Sequence, residues 1–229
     1  MSSQSHSFKL ICFDVYTALM NIEGSISPHL GRLLSIEQEH ALSIFRLWRN
    51  TQWNYLLLNN SMNNGFLPYK TITMRALEYA LQKFGAELDG SQKVEMVHYW
   101  SKLNPWPEVK EVLAEIKDRG YQIAILSNGD EDMLEAVAEH CGIKFDYIFS
   151  ADKAEAYKPS PRIYELPLKQ LGLSREEVLH VAGSPFDTMG AIAAGMVVAW
   201  SNRFNDFLID AKYRPNYEMS SLNALLEIL

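Results

Sequence analysis

Short apolar runs alternate with longer amphipathic stretches in the second half of the chain. Residues 121–126, 147–149, 178–182 and 196–200 read as strands buried on both faces. Between them residues 108–119, 132–141, 161–171 and 187–194 carry helical spacing, and Gly120, Gly142, Gly172 and Gly195 sit just past their ends, where helices commonly stop. One earlier run, residues 9–13, predicts a first strand. After it comes a stretch of about 85 residues without a strand pattern. Helices are predicted there over 28–62 (broken within its length), 71–84 and 91–102. Asn63-Asn64-Gly65 and Asp89-Gly90 supply turns, and Pro105 and Pro107 punctuate the return. The pattern predicts an α/β protein with a doubly wound, Rossmann-like parallel sheet, built from residues 1–20 and 105–229. A helical cap, residues 21–104, is inserted after strand one.

Composition narrows the function. With 229 residues, 48% hydrophobic and 21% charged, the chain supports one sizeable core and gives no sign of disorder. A formal net charge of -7 without a dense Lys/Arg patch disfavours nucleic acid and membrane surfaces as partners, leaving small molecules. Cys12 and Cys141 lack metal-ligand spacing and read as buried thiols. The polar start, Met1 to Ser7, lacks the features of a secretory signal and no long apolar run follows, so a cytoplasmic protein is expected.

In a doubly wound sheet ligands bind beyond the carboxyl ends of the strands, so chemistry is sought there. Strand one ends in Asp14, beside the backbone amides of Val15 and Tyr16; an ionised Asp is a competent nucleophile when attack gives an ester. A lone Asp at a strand end otherwise caps a turn. The next strand ends in Ser127-Asn128-Gly129-Asp130, which offers hydroxyl, amide and free N–H groups to an anion, or simply caps a helix. Lys158 enters from Tyr157-Lys158-Pro159, followed by Tyr164. Asp187 arrives after Gly183-Ser184-Pro185-Phe186, where a helix N-cap is the plainer reading. Each site alone is weak, but their joint placement is not.

FDVYTAL (13–19), LSNGD (126–130), YKPSPRIYE (157–165) and GSPFD (183–187), in this order and at these intervals, resemble the haloacid dehalogenase (HAD) superfamily over nearly the whole chain. Leu47-Trp48-Arg49 resembles the LWR segment of its type II, or L-2-haloacid, dehalogenases. The resemblance implies a HAD-like α/β core with a helical cap, no metal and no cofactor, and a homodimer. It implies backside attack by Asp14 on C2 of a short 2-haloalkanoic acid, giving a 2-hydroxy acid. Arg49 and Asn128 would receive the halide. Ser127 and the amides of Val15 and Tyr16 would hold the substrate carboxylate, and Lys158 would sit against Asp14. Tyr164 and Asp187 would support Lys158 and the hydrolytic water. Independently, the guanidinium of Arg49 suits a polarisable anion, and it shares a helical face with Phe45 and Trp53, which wall a dry pocket or form the cap's own core.

The chain departs from that family's pattern in places. Ala18 stands where a threonine is usual, with Thr17 beside it; Ala182 and Ser184 stand where Ser and Asn are common, and Phe186 where Trp is common. These changes leave room for a shifted substrate, such as azetidine-2-carboxylate opened at its C2–N bond. The superfamily's phosphatases need an acid two residues after the nucleophile, where this chain has Tyr16, and paired acids for Mg²⁺, where it has only Asp187. A silent binding module would need neither Asp14 nor Lys158.

Overall fold

The computed structural model describes residues 8–62 and 64–229; Met1 to Ser7 and Asn63, the first residue of the predicted turn, lie outside the described residues. Strands β1 (Leu10–Phe13), β2 (Gln122–Ser127), β3 (Tyr147–Ser150), β4 (Val178–Ala182), β5 (Val197–Ser201) and β6 (Tyr217–Met219) form one parallel sheet in the order β3-β2-β1-β4-β5-β6. The chain winds outward from β1 through β2 and β3, then crosses back to β4 on the other side. That reversal makes the C-terminal ends of β1 and β4 the switch point where an α/β sheet opens a crevice. Register is tight there: Phe13 pairs with Ile125 on one side and Val181 on the other, so Asp14 and the residues after Ala182 emerge side by side. Residues of β1 and β4 are wholly buried, as double coverage requires.

Helices α1 (Ile22–Leu34), α2 (Gln38–Ser61), α3 (Tyr69–Phe84) and α4 (Gly90–His98) form the layer between β1 and β2, followed by one tight turn, Tyr99–Ser101. The helix predicted over 28–62 is indeed broken, at Ser35, whose left-handed backbone ends α1. It starts earlier than expected. Asn21 caps Gly24, the hydroxyls of Ser25 and Ser27 bond back to carbonyls of the preceding turn, and Pro28 lies inside the helix rather than opening it. The core-side helices α5 (Val109–Asp118), α6 (Glu131–Cys141) and α10 (Pro185–Ala193) follow the predicted pattern, with α7 (Ala151–Ala154) an unpredicted single turn. The segment predicted as one helix over 161–171 is two, α8 (Pro161–Tyr164) and α9 (Leu166–Leu171). Pro167 has no N–H to continue the ladder and its ring crowds the carbonyl four residues back. Both cysteines are buried thiols.

Three sets of hydrogen bonds among those that tie the helical layer to the sheet layer fix where the two meet. At the neck Met20 bridges Pro105 antiparallel, and the Asn21 and Trp106 amides donate to the Asn104 and Leu19 carbonyls. Asn60, near the end of α2, forms a reciprocal pair with the backbone of Tyr157 at 2.7 and 2.9 Å. The third tie is a cap supplied from a distance. Pro68 gives α3 no side-chain cap, and the Asp130 carboxylate, from the loop after β2, accepts the Tyr69 and Lys70 amides at 2.7 and 2.9 Å.

Asp130→Ala strands two helix-end donors in a buried place, so it should lower the unfolding free energy by about 1 to 3 kcal/mol. Urea titration of both proteins reads this; a midpoint unchanged at equal slope would remove the tie from the list of stabilising contacts.

Candidate active site

Asp14 leaves β1 in extended conformation and caps a single π-helical turn, Val15–Leu19. The wide turn brings residue 17 back over the strand end. The Thr17 amide and hydroxyl both donate to one Asp14 oxygen, Oδ2, at 2.9 and 2.7 Å. Thr17 therefore supplies the hydroxyl contact to Asp14 that Ala18 lacks. Glycine makes the close packing possible: a Cβ on Gly183, in the loop after β4, would lie 2.2 Å from the Thr17 carbonyl carbon and the Ala18 nitrogen.

The other oxygen, Oδ1, accepts the Ser127 hydroxyl at 3.1 Å and the Lys158 ammonium at 3.1 Å. Ser127 closes β2, and its Oγ also lies 3.4 Å from the Val15 amide. Lys158 is 1% exposed and bridges on to Asp187 Oδ2 at 2.9 Å, while its own amide donates to Asn128 Oδ1 at 2.8 Å. Three loops thus converge on one buried cation. Asp187 sits in the first turn of α10, where the Ser184 hydroxyl accepts its amide, and its Oδ1 accepts the Tyr164 hydroxyl at 2.8 Å. A fourth partner is unpredicted: His180 of β4, fully buried, places Nε2 3.0 Å from Asp187 Oδ2.

The charges support each other. Burial favours neutral Lys158, but Asp14 and Asp187 more than offset it and hold the ammonium above the ordinary lysine range. Burial likewise favours protonated Asp187, yet Lys158 and His180 hold its carboxyl well below the usual carboxylate range. Burial, reinforced by Asp187, pushes the Tyr164 phenol well up, so it stays a donor. Burial also raises Tyr16, whose hydroxyl has no protein partner.

A cavity of about 450 Å³ opens above this floor. Asp14, Asn128, Lys158, Ser184, Phe186 and Asp187 line it from the sheet side, and Arg49, Trp53 and Phe45 from α2. Trp53 and Phe186 face each other across it with ring centres 5.7 Å apart. Arg49 donates to Gln52 at 2.5 Å and to the Tyr69 hydroxyl at 3.3 Å, with Trp100 beneath its guanidinium; Gln52 is held in turn by Thr73. An adjoining space of about 700 Å³ shares Tyr16, Thr17, Arg46 and Arg49 but contains none of Asp14, Lys158 or Asp187, so the chemistry belongs to the smaller one. Of the residues expected from sequence, Asp14, Tyr16, Arg49, Trp53, Asn128, Lys158, Ser184, Phe186 and Asp187 line the cavity. Val15, Ser127 and Tyr164 lie outside its lining, Ser127 against Asp14 and Tyr164 against Asp187. The sequence offers Thr17 only as a possible replacement for the hydroxyl missing at Ala18, and it does not single out Gln52 or His180. His180 was visible as a polar residue inside an apolar run, and Gln52 as the third residue after Arg49 on one helix.

A carboxylate pinned at one oxygen and paired with a cation at the other, beneath a partly aromatic cavity bearing a guanidinium, is chemically able to attack a small anion as a nucleophile. The family model for haloacid dehalogenase-like hydrolases matches residues 8–195. The chain belongs to the haloacid dehalogenase-like hydrolases. This hydrolase is 32% identical to the (S)-2-haloacid dehalogenase of Pseudomonas sp. (strain YL), over 96% of its own length and 94% of that relative's. It is 29% identical to haloacetate dehalogenase H-2 of Moraxella sp. (strain B), over 96% of each chain. Its fold superimposes with a TM-score of 0.83 on the L-2-haloacid dehalogenase of Xanthobacter autotrophicus with chloropropionic acid covalently bound, at 26% identity, covering 96% of this chain and 98% of that one. The dehalogenase-like hydrolase is thus an enzyme of the (S)-2-haloacid dehalogenase type, with the α/β architecture the sequence predicts. No helix among the described residues is long and apolar enough to cross a membrane.

Because Asp187 is held ionised below its ordinary range, the stability it contributes is fully present above about pH 4 and is lost as pH falls further through its folded value. Lys158 behaves oppositely, contributing fully below about pH 10 and losing that contribution as pH rises through its raised value. The gap in melting temperature between the wild type and Asp187→Asn should therefore be widest near neutrality and narrow below pH 4. A gap that stays constant down to pH 2.5 would contradict the assigned charge.

Proposed function

We propose that this hydrolase removes halide from a small (S)-2-haloalkanoic acid, giving the 2-hydroxy acid with inversion at C2 through an ester on Asp14. The observation that carries the reading is the Asp14 carboxylate itself, 7% exposed, fully hydrogen-bonded and facing a 450 Å³ cavity shared with Arg49. In the first step a carboxylate oxygen of Asp14 bonds to C2 as the carbon–halogen bond breaks, and Arg49 and Asn128 take up the halide. Arg49 is suited to this because its charge is delocalised and fixed by Gln52 and Tyr69. The amides of Val15 and Tyr16 and the Ser127 hydroxyl hold the substrate carboxylate. Ser127 has one proton and gives it to Asp14 at rest, so that proton is released toward the substrate as Asp14 loses its charge.

In the second step water attacks the ester carbonyl carbon, which Lys158 polarises, and Asp187, fixed by Tyr164, orients the water and takes its proton. The bond from Asp14 Cγ to the ester oxygen then breaks, and the departing 2-hydroxy acid takes a proton back from Asp187, so that the Asp14 carboxylate is restored. Trp53 and Phe186 exclude bulk solvent and limit the acid's length, and Ser184 holds the turn that presents Asp187. The helices of residues 21–104 act as a cap over a core of 1–20 and 105–229, a division supported by the Met20–Pro105 neck. A cytoplasmic homodimer completes the reading, supported by the exposed apolar side chains Phe204 and Phe207.

The covalent route places solvent oxygen in the enzyme first. A single turnover in ¹⁸O-water with enzyme in excess should label the peptide carrying Asp14 and leave the 2-hydroxy acid unlabelled. Immediate label in the product, with none in the peptide, would make Asp14 a general base and end the ester mechanism. The same preparations, offered haloacetates, both enantiomers of 2-chloropropionate, azetidine-2-carboxylate and p-nitrophenyl phosphate with and without EDTA, should release halide from the S enantiomer regardless of chelator. Phosphate ester cleavage restored by Mg²⁺ would displace the reading.

Arg49→Ala should lower kcat by about 100-fold or more while leaving the melting temperature close to wild type, because its charge is needed where the halide forms. Wild-type turnover with a lowered melting temperature would move Arg49 into the structural framework of α2.

A further inference from the structure

His180 has no place in the mechanism so far. It is the one ionisable side chain of β4, fully buried in a run that is otherwise Val, Leu, Val and Ala. Strand alternation puts it on the same face as Ala182, whose side chain offers no hydrogen-bond donor. Its Nε2 lies 3.0 Å from Asp187 Oδ2, its ring meets Tyr164 edge-on with centres 5.7 Å apart, and its Nδ1 has no partner. An ionised carboxylate only accepts, so Nε2 is the nitrogen that carries the proton between His180 and Asp187.

A carboxylate offers about four acceptor sites. On Asp187, Oδ2 receives Lys158 and His180 at 2.9 and 3.0 Å, and Oδ1 receives Tyr164 at 2.8 Å. One site remains, on Oδ1. Without His180 the carboxylate is free to turn about its Cβ–Cγ bond, and Lys158 loses a fixed partner at the moment Asp14 becomes an ester and ceases to balance it.

We propose that His180 is a positioning residue for ester hydrolysis: by donating from Nε2 it fixes the Asp187 carboxylate so that a single Oδ1 site is left for the attacking water. This rests on the covalent reading above. It predicts an asymmetry between the two chemical steps, because the side-chain hydrogen bond of His180 goes to Asp187 and not to Asp14.

The test uses His180→Phe, which keeps a flat ring but removes the donor, and His180→Gln, which restores an N–H near Nε2. With (S)-2-chloropropionate, His180→Phe should still give a rapid burst of about one halide per active site. Its steady-state kcat should fall about 10- to 100-fold, the range expected for losing one hydrogen bond to a charged group. The Asp14 ester should accumulate by mass spectrometry, and His180→Gln should recover most of the turnover. If His180→Phe does not fold, His180→Ala, which leaves space instead of bulk, serves for the same comparison. Equal slowing of burst and steady state, unchanged kcat with only a lower melting temperature, or failure of His180→Gln to recover turnover would each overturn the proposal. Absence of halide release by the wild type would instead overturn the reading on which it rests.

Discussion

A lysine ammonium buried between two carboxylates is the constraint around which this molecule is arranged. Lys158 reaches Asp14 and Asp187 at 3.1 and 2.9 Å with almost no access to water. Removing one partner of such a group leaves an uncompensated buried charge, at a cost of about 3 to 5 kcal/mol. The three residues come from the ends of β1 and β4 and from the segment after β3, so the pairing is satisfied only when the sheet order is correct. Gly183 passing against Thr17 and Ala18, and Asn128 holding the Lys158 amide, are the local means by which those loops reach one point.

The same triad fits the two-step reaction proposed above. At rest the cation is balanced by two anions. In the proposed reaction ester formation would consume one of them, leaving Lys158 beside a neutral carbonyl that it would polarise and Asp187 as the remaining carboxylate. A site with a single carboxylate would lose its base at that moment. Preorganised charge of this kind needs no rearrangement between steps, which is the usual source of catalytic advantage in a water-poor cavity.

Much of this was legible in the chain. Strands β1 to β5 announce themselves because a sheet covered on both faces requires continuous apolar runs; three of the four motifs fall where those runs end, and the Lys158 motif lies beyond β3 and the turn of α7. Strand β6 does not: three residues at the sheet edge, only Met219 of them buried, leave no periodic trace. The joint between α8 and α9 was visible in Pro167 but lost among good helix formers on either side. Pro28 misled in the opposite sense, since serine hydroxyls and the Asn21 cap carry α1 through it. The role of Thr17 depends on a π-helical turn, a rare geometry that shifts a side chain by one position and that no periodicity encodes. His180 needed a partner seven residues away in a different element, a contact that only the β4-to-α10 turn creates.

The cavity is walled by two layers that meet across ties as small as Asn60 with Tyr157 and Asp130 with the start of α3. Arg49 belongs to one layer and Asp14 to the other, so an anion spanning them is itself a fastener. Occupancy adds to cohesion by mass action, about 2.7 kcal/mol when a ligand is present at a hundredfold excess over its dissociation constant. Emptying the site would remove that contribution, so occupancy of the cavity and cohesion of the two layers are linked.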